Sequence, residues 1–179
     1  MEQPVVFRNN DLPRVMMGSA AQRLIRLYGV RPGSRAVVVT ANDDGYGVAL
    51  DLVDAGVEVA AVADLRDQPG SGLLAVAAAE RGLRIVPGWT VSEAIPGSGG
   101  HAVRGAVLSR ISGQGTFAES DTVDCDLICM SVGYAPAGQL PCHDGAQLML
   151  DGDTSTFVLQ NLPEHGYAAG SVTGTHALD

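Results

Sequence analysis

The most constraining feature is the stretch from Arg35 to Arg66, where two short apolar runs flank an amphipathic segment. Arg35-Ala36-Val37-Val38-Val39-Thr40 is a continuous β-branched run, the pattern of a parallel strand buried on both faces. Tyr46 to Ala55 then carries Val48, Ala49, Leu52 and Val53 at helical spacing and closes at Gly56. A second buried strand is expected from Val57 to Ala63, ending on Asp64. Strand, helix and strand at this spacing predict a parallel βαβ unit.

The rhythm continues on both sides. Residues 13–28 place Val15, Met16, Ala20, Leu24 and Leu27 near one helical stripe, with Gly29 at the C-cap position, so a helix is expected there. Gly72 to Arg81 is a further helix stopped at Gly82, and Leu83 to Pro87 a third strand. From Trp89 the texture changes. Val103 to Ile111 and Thr116 to Val123 read as antiparallel strands joined by Ser112-Gly113-Gln114-Gly115, and Gly97 to Gly100 reads as a loop tip. Cys125 to Ser131 returns as another parallel strand. The expected fold class is α/β, a Rossmann-like parallel sheet with flanking helices and a small antiparallel β-meander. After Pro136 two short strands, Gln147 to Leu150 and Phe157 to Gln160, bracket a DGDTS turn. The glycine-rich end lacks a packing partner, so the chain is expected to be a piece of a longer polypeptide. The expected division is 1–33 as a connecting segment and helix, 34–136 as the Rossmann-like domain, and 137–179 as a trailing segment.

Composition narrows the function. In 179 residues the formal net charge is -9, the 11 basic residues are scattered and aromatics make up only 4%. A nucleic-acid groove or an anionic membrane surface needs clustered Lys and Arg, so neither is expected as a partner. Small-molecule chemistry is favoured. Cys125, Cys129 and Cys142 form no CxxC pair, which fits a reducing cytoplasm. Cys125 and Cys129 are expected on one face of a strand as apolar filler. Cys142 beside His143 lacks the further ligands a metal needs. No apolar segment suggests a leader or a membrane span.

The loop after the first run carries the chemistry. A dinucleotide fingerprint uses glycine for a tight turn, for close approach of the pyrophosphate, and for packing of helix on strand. Those places fall on Thr40, Asn42 and Gly45, so only the third glycine is present. Asn42 can take the left-handed conformation, and Thr40 can donate a hydroxyl to a phosphate. Asp43 and Asp44 either repel a pyrophosphate or cap the helix. Asp64, about 20 residues past the loop, stands where NAD's adenosine ribose is held. It disfavours the 2'-phosphate of NADP; Arg66 could reverse that preference. Ser131 and Gly133, in Ser131 to Pro136, either contact the ligand or form a turn leaving the sheet. No catalytic constellation is visible: His101, His143, His165 and His176 read as loop histidines.

VFRNNDLPRVMMGSAAQRLIRLYGVRPG, VVVTANDDGYGVALDLVDAGVEVAAVADLR, CDLICMSVGYAPAGQL and GYAAGSVTG together resemble the alpha subunit of heterotetrameric sarcosine oxidase. The resemblance implies a region like the pyridine nucleotide-disulfide oxidoreductases. In the parent enzyme it also implies oxidation of sarcosine with oxygen and transfer of the one-carbon unit to tetrahydrofolate, giving glycine and hydrogen peroxide, by an assembly holding FAD, FMN and NAD with smaller subunits. NAD is there a bound group and not the known hydride partner. It puts Thr40, Asn42, Asp43, Gly45 and Tyr46 at the NAD loop and Asp64 at the ribose, and it reads 137–179 as returning toward an FAD-binding domain. The FAD fingerprint and the folate region of that family have no counterpart here. Ser171 stands where related flavoproteins carry an Asp for the flavin's ribityl chain. The alternatives are a structural insert without a ligand and an NADH-dependent flavin reductase fragment.

Overall fold

The computed structural model describes residues 1–113, 115–152 and 156–174, which group into two compact units. The larger runs from Glu2 to Gly133; the smaller holds Met1 and the residues from Tyr134 onward. Gln114, part of the expected DGDTS turn and His176 lie outside the described residues.

A five-stranded sheet forms the centre of the larger unit. Its strands are β1 (Val15–Met17), β2 (Arg35–Thr40), β3 (Glu58–Asp64), β4 (Ile85–Pro87) and, after the meander, β8 (Leu127–Ser131). The order is β1-β8-β2-β3-β4 and every pairing is parallel. Between β4 and β8 the chain forms β5 (Trp89–Pro96), β6 (Val103–Gly113) and β7 (Thr116–Asp124), an antiparallel meander. Helices α1 (Gly18–Tyr28), α2 (Asp44–Asp54) and α3 (Leu73–Glu80) complete the unit.

Alternation along β2 shows why its run is apolar throughout. Val37 and Val39 pack with Ile128, Met130 and the meander residues Val91, Ala106 and Leu108. Ala36 and Val38 pack on the other side with Leu127, Cys129 and the helix residues Ala21, Val48, Ala49, Leu52 and Ala78. Successive side chains point to opposite faces, so Ala36 to Val39, covered on both sides, include no polar residue. The layers are helices, parallel sheet and meander.

Four expectations change. The expected helix over 13–28 begins only at Gly18, because Val15–Met17 pair with Ile128–Met130 as the outer parallel strand. A three-residue strand running straight into a helix leaves no polar break to mark it. The buried face of α1 is Gly18, Ala21 and half-buried Ile25, whereas Leu27 of the expected stripe is 67% exposed. Trp89–Pro96, where only a change of texture was expected, is a strand. Cys125 and Cys129 lie in opposite clusters, because the strand starts at Leu127 and i, i+4 parity does not extend past its end. Gly29 is in the left-handed conformation with φ 62°, its N–H bonded to the Ile25 carbonyl, as a helix C-cap requires.

In the smaller unit, β9 (Gln147–Asp151) and β10 (Thr156–Gln160) pair antiparallel, preceded by the short helix α4 (Gln139–His143). Leu148, Leu150 and Phe157 are exposed there.

Candidate nucleotide site

Register brings the predicted residues to one edge of the parallel sheet. Thr40, the last residue of β2, pairs with Asp64 on β3 and with Ser131 on β8. The loop after β2 therefore leaves the sheet between an acid and a serine, at the carboxyl ends of the central strands. The chain departs to either side there, and open α/β sheets place their ligand crevice at such a point.

The loop is fastened from beneath. The buried Thr40 hydroxyl lies 2.8 Å from the Ser131 carbonyl and 2.7 Å from that of Asn42, and it accepts from the Asn42 N–H at 3.2 Å. Its hydrogen is thus committed to protein carbonyls, not held out for a phosphate. Asn42 accepts from the Asp44 N–H through Oδ1 at 3.1 Å, a turn that leads into α2. It does not use the left-handed conformation; among the described residues, the non-glycine positions with positive φ are Asn9, Arg14, Asn161 and His165. A Cβ on Gly45 would overlap the Thr40 side chain. Gly45 therefore fills the third role of the fingerprint, close packing of helix on strand.

Asp64 is wholly buried, and its carboxylate is fully engaged. Oδ1 accepts from the Arg66 N–H and Nε, both at 3.0 Å; Oδ2 accepts from the Tyr46 hydroxyl at 2.6 Å and the Arg66 NH2 at 2.8 Å. Four donors meet the roughly four lone-pair sites a carboxylate offers. Burial alone pushes the Asp64 carboxyl up, but hydrogen bonds from Arg66 and Tyr46 outweigh it and hold the group below its ordinary value. Burial and the bond to Asp64 push the Tyr46 phenol up to about 12. The Arg66 guanidinium, raised by its bond to Asp64, stays charged throughout. It also lies 5.9 Å from the Tyr46 ring centroid.

Asp43 does not cap α2. Its carboxylate reaches across to Arg66 NH1 at 3.0 Å and accepts the Gly72 N–H, at the start of α3, at 3.2 Å. The Gly70 N–H donates to the Tyr46 hydroxyl at 3.3 Å. Gly70 and Gly72 thus join the site though neither was singled out from sequence. The available signal was a glycine pair just ahead of a helix and facing a carboxylate-bearing loop. Ser131 is buried, with its hydroxyl 3.5 Å from Asn42 Oδ1, and Gly133, with φ 140°, accepts the Gln3 N–H.

The cysteines are unpaired. Burial pushes the Cys125 and Cys129 thiols up to about 12, so they are inert filler. Among the described residues no group of His, Cys, Asp and Glu is arranged to hold a metal, and no helix is long and apolar enough to cross a membrane.

No protein-family model matches the chain. It is 29% identical over 173 residues to the sarcosine oxidase subunit alpha of Corynebacterium sp. (strain P-1), covering 97% of this chain and 18% of that protein. The sarcosine oxidase subunit alpha of Rhizobium meliloti (strain 1021) is also 29% identical, over 177 residues, 99% of this chain and 16% of that protein. The chain thus spans less than a fifth of the length of these relatives. Among solved structures, it is similar to L-proline dehydrogenase from P. horikoshii with a TM-score of 0.66 at 14% identity, covering 97% of this chain and 28% of that one. T. acidophilum thioredoxin reductase gives 0.61 at 14%, covering 97% and 58%. An FAD-dependent pyridine nucleotide-disulphide oxidoreductase from Desulfovibrio vulgaris gives 0.57 at 21%, covering 83% and 37%. The fold is the Rossmann-like arrangement of these oxidoreductases, and the resemblance to sarcosine oxidase alpha subunits extends over nearly the whole chain.

Proposed function

We propose that this chain is the NAD-binding region of a sarcosine-oxidase-type alpha subunit, with the dinucleotide lying across the carboxyl ends of β2, β3 and β8. The observation that carries the reading is the register of Thr40 with Asp64 and Ser131, which gathers the loop, the acid and the α2 N-terminus at one edge. The residues fit the group in their placement: they stand at the carboxyl edge, where open α/β sheets take nucleotides, and an acid ends the second strand of the βαβ unit. They differ from the usual cradle in lacking two glycines and in the internal use of the Thr40 hydroxyl. Asn42 and Gly45 would line the pyrophosphate side; Asp43, Arg66, Ser131 and Gly133 would line the remainder, over the buried Tyr46 and Asp64. Because Asp64 has no free acceptor site, holding the ribose hydroxyls requires it to exchange the Arg66 guanidinium for the diol.

NAD is here a bound group, and the region is inactive by itself. The parent enzyme would oxidise sarcosine with oxygen and pass the one-carbon unit to tetrahydrofolate, giving glycine, hydrogen peroxide and methylene-tetrahydrofolate. FAD, FMN and tetrahydrofolate would belong to its other domains and smaller subunits, in the cytoplasm.

Calorimetric titration with NAD is expected to show binding that Asp64→Ala weakens by about tenfold to a hundredfold, the range for losing hydrogen bonds to a charged group. Absence of binding heat, together with no rise in melting temperature at millimolar NAD, contradicts the reading. The saturated Asp64 carboxylate favours one competing reading, a structural insert whose ribose position is permanently closed by Arg66. That insert would show no NAD-dependent stabilisation in either protein.

A further inference from the structure

Arg66 follows the second strand at the place where a dinucleotide site can receive the 2'-phosphate of NADP. A guanidinium pairs strongly and bidentately with phosphate. Here all three of its nitrogens are engaged, Nε and NH2 by Asp64 and NH1 by Asp43. The two carboxylates differ in access. Asp64 is inside, with its side chain 0% exposed, whereas Asp43 is 35% exposed and stands beside the equally open Arg66. If a ribose diol displaces Arg66 from Asp64, Asp43 is the anchor that remains.

The seat for Asp43 is built into the chain. Gly70 and Gly72 are absent from the residues with positive φ, so their backbone does not call for glycine. What excludes a side chain is the Asp43 carboxylate, which a Cβ at either position would overlap. The Gly72 N–H then fixes Oδ2 and leaves Oδ1 for Arg66. Two carboxylates against one guanidinium leave the cluster with a formal charge of -1, which repels a further phosphate.

Resting on the reading of this edge as a dinucleotide site, we infer that Asp43 is a positioning residue that sets cofactor preference: it holds Arg66 away from a 2'-phosphate, and so keeps the crevice for the unphosphorylated dinucleotide. The test measures dissociation constants for NAD and NADP on the whole chain, on Asp43→Asn, Asp43→Ser and Asp43→Glu, and on Asp43→Asn combined with Arg66→Ala. Asn retains an oxygen for the Gly72 N–H, and circular dichroism checks each fold. The unaltered chain should prefer NAD. Asp43→Asn and Asp43→Ser should shift the affinity ratio toward NADP by about tenfold or more, a gain that weakens with salt. Asp43→Glu should retain the original preference, and Arg66→Ala should abolish the gain. An unchanged ratio in both neutral variants, with NAD still bound, overturns the inference alone, as does a gain that survives Arg66→Ala. Failure of the unaltered chain to bind either nucleotide overturns the inference together with the crevice reading. Should Asp43→Asn not fold, the Asp43→Ser result decides.

Discussion

The hydroxyl of Tyr46, in the first turn of α2, donates a 2.6 Å hydrogen bond to Asp64, the last residue of β3. This bond ties helix to strand at the buried side of the candidate site, and both partners are fully buried. Tyr46→Phe removes one of four donors from the carboxylate without opening a cavity. We expect a loss of about 1 to 3 kcal/mol, the cost of leaving a buried charged acceptor short of one partner. Urea unfolding with an unchanged m-value would measure it.

Gly45 tests the packing of the same helix. Gly45→Ala puts a methyl group into the Thr40 side chain, which is itself held by bonds to Asn42 and Ser131 and cannot turn away freely. The expected cost is about 1 to 3 kcal/mol, as for overpacking elsewhere. Helix propensity alone would make the same change favourable by up to about 1 kcal/mol. A lowered urea midpoint therefore shows that contact with Thr40 decides.

Acid should weaken the cluster with a defined sign. Asp64 is held below its ordinary value of 3.8 in the folded chain, so its contribution is fully present above that value and is lost as pH falls through the lower folded one. Asp126 behaves alike: burial pushes it up, but the Arg35 and Ser34 N–H bonds outweigh that. Melting curves of the chain and of Asp64→Asn should differ most at neutral pH and begin to approach each other only as pH falls below about 4. A gap that widens in acid would contradict the assignment.

The thiols offer an independent check on the layers. Cys125 and Cys129 are buried on opposite faces of the sheet with their thiols pushed up to about 12, whereas Cys142 is half-buried. In native buffer a thiol reagent should modify Cys142 first; after unfolding, all three should react.

The central βαβ unit was legible because Ala36–Val39 and Val59–Ala63 contribute to the cores on both faces of the sheet and leave unbroken apolar runs. Val15–Met17 was not, since three apolar residues leading into a helix satisfy helical spacing as well as a strand. Trp89–Pro96 carries two register irregularities, which break its alternation. At the site, strand ends announced Thr40, Asp64 and Ser131 as neighbours. The direction of each side chain was hidden. That Asp43 reaches Gly72 instead of capping α2 depends on where the loop after β3 folds back. No spacing within the Asn42-Asp43-Asp44 loop encodes that return. Arg66 two residues past Asp64 was visible, but its use of three of the four donor positions around that carboxylate was not.

The proposed binding of NAD at the carboxyl edge of β2, β3 and β8 is open to a residue-by-residue measurement. Titrating NAD into an isotope-labelled sample of this 179-residue chain and following its backbone amide resonances tests it most directly. Saturable shifts concentrated at Asn42 to Tyr46, Asp64 to Gly72 and Ser131 to Gly133 are expected. Shifts elsewhere, such as around Gly29 and Val30, or none at millimolar NAD, would contradict it.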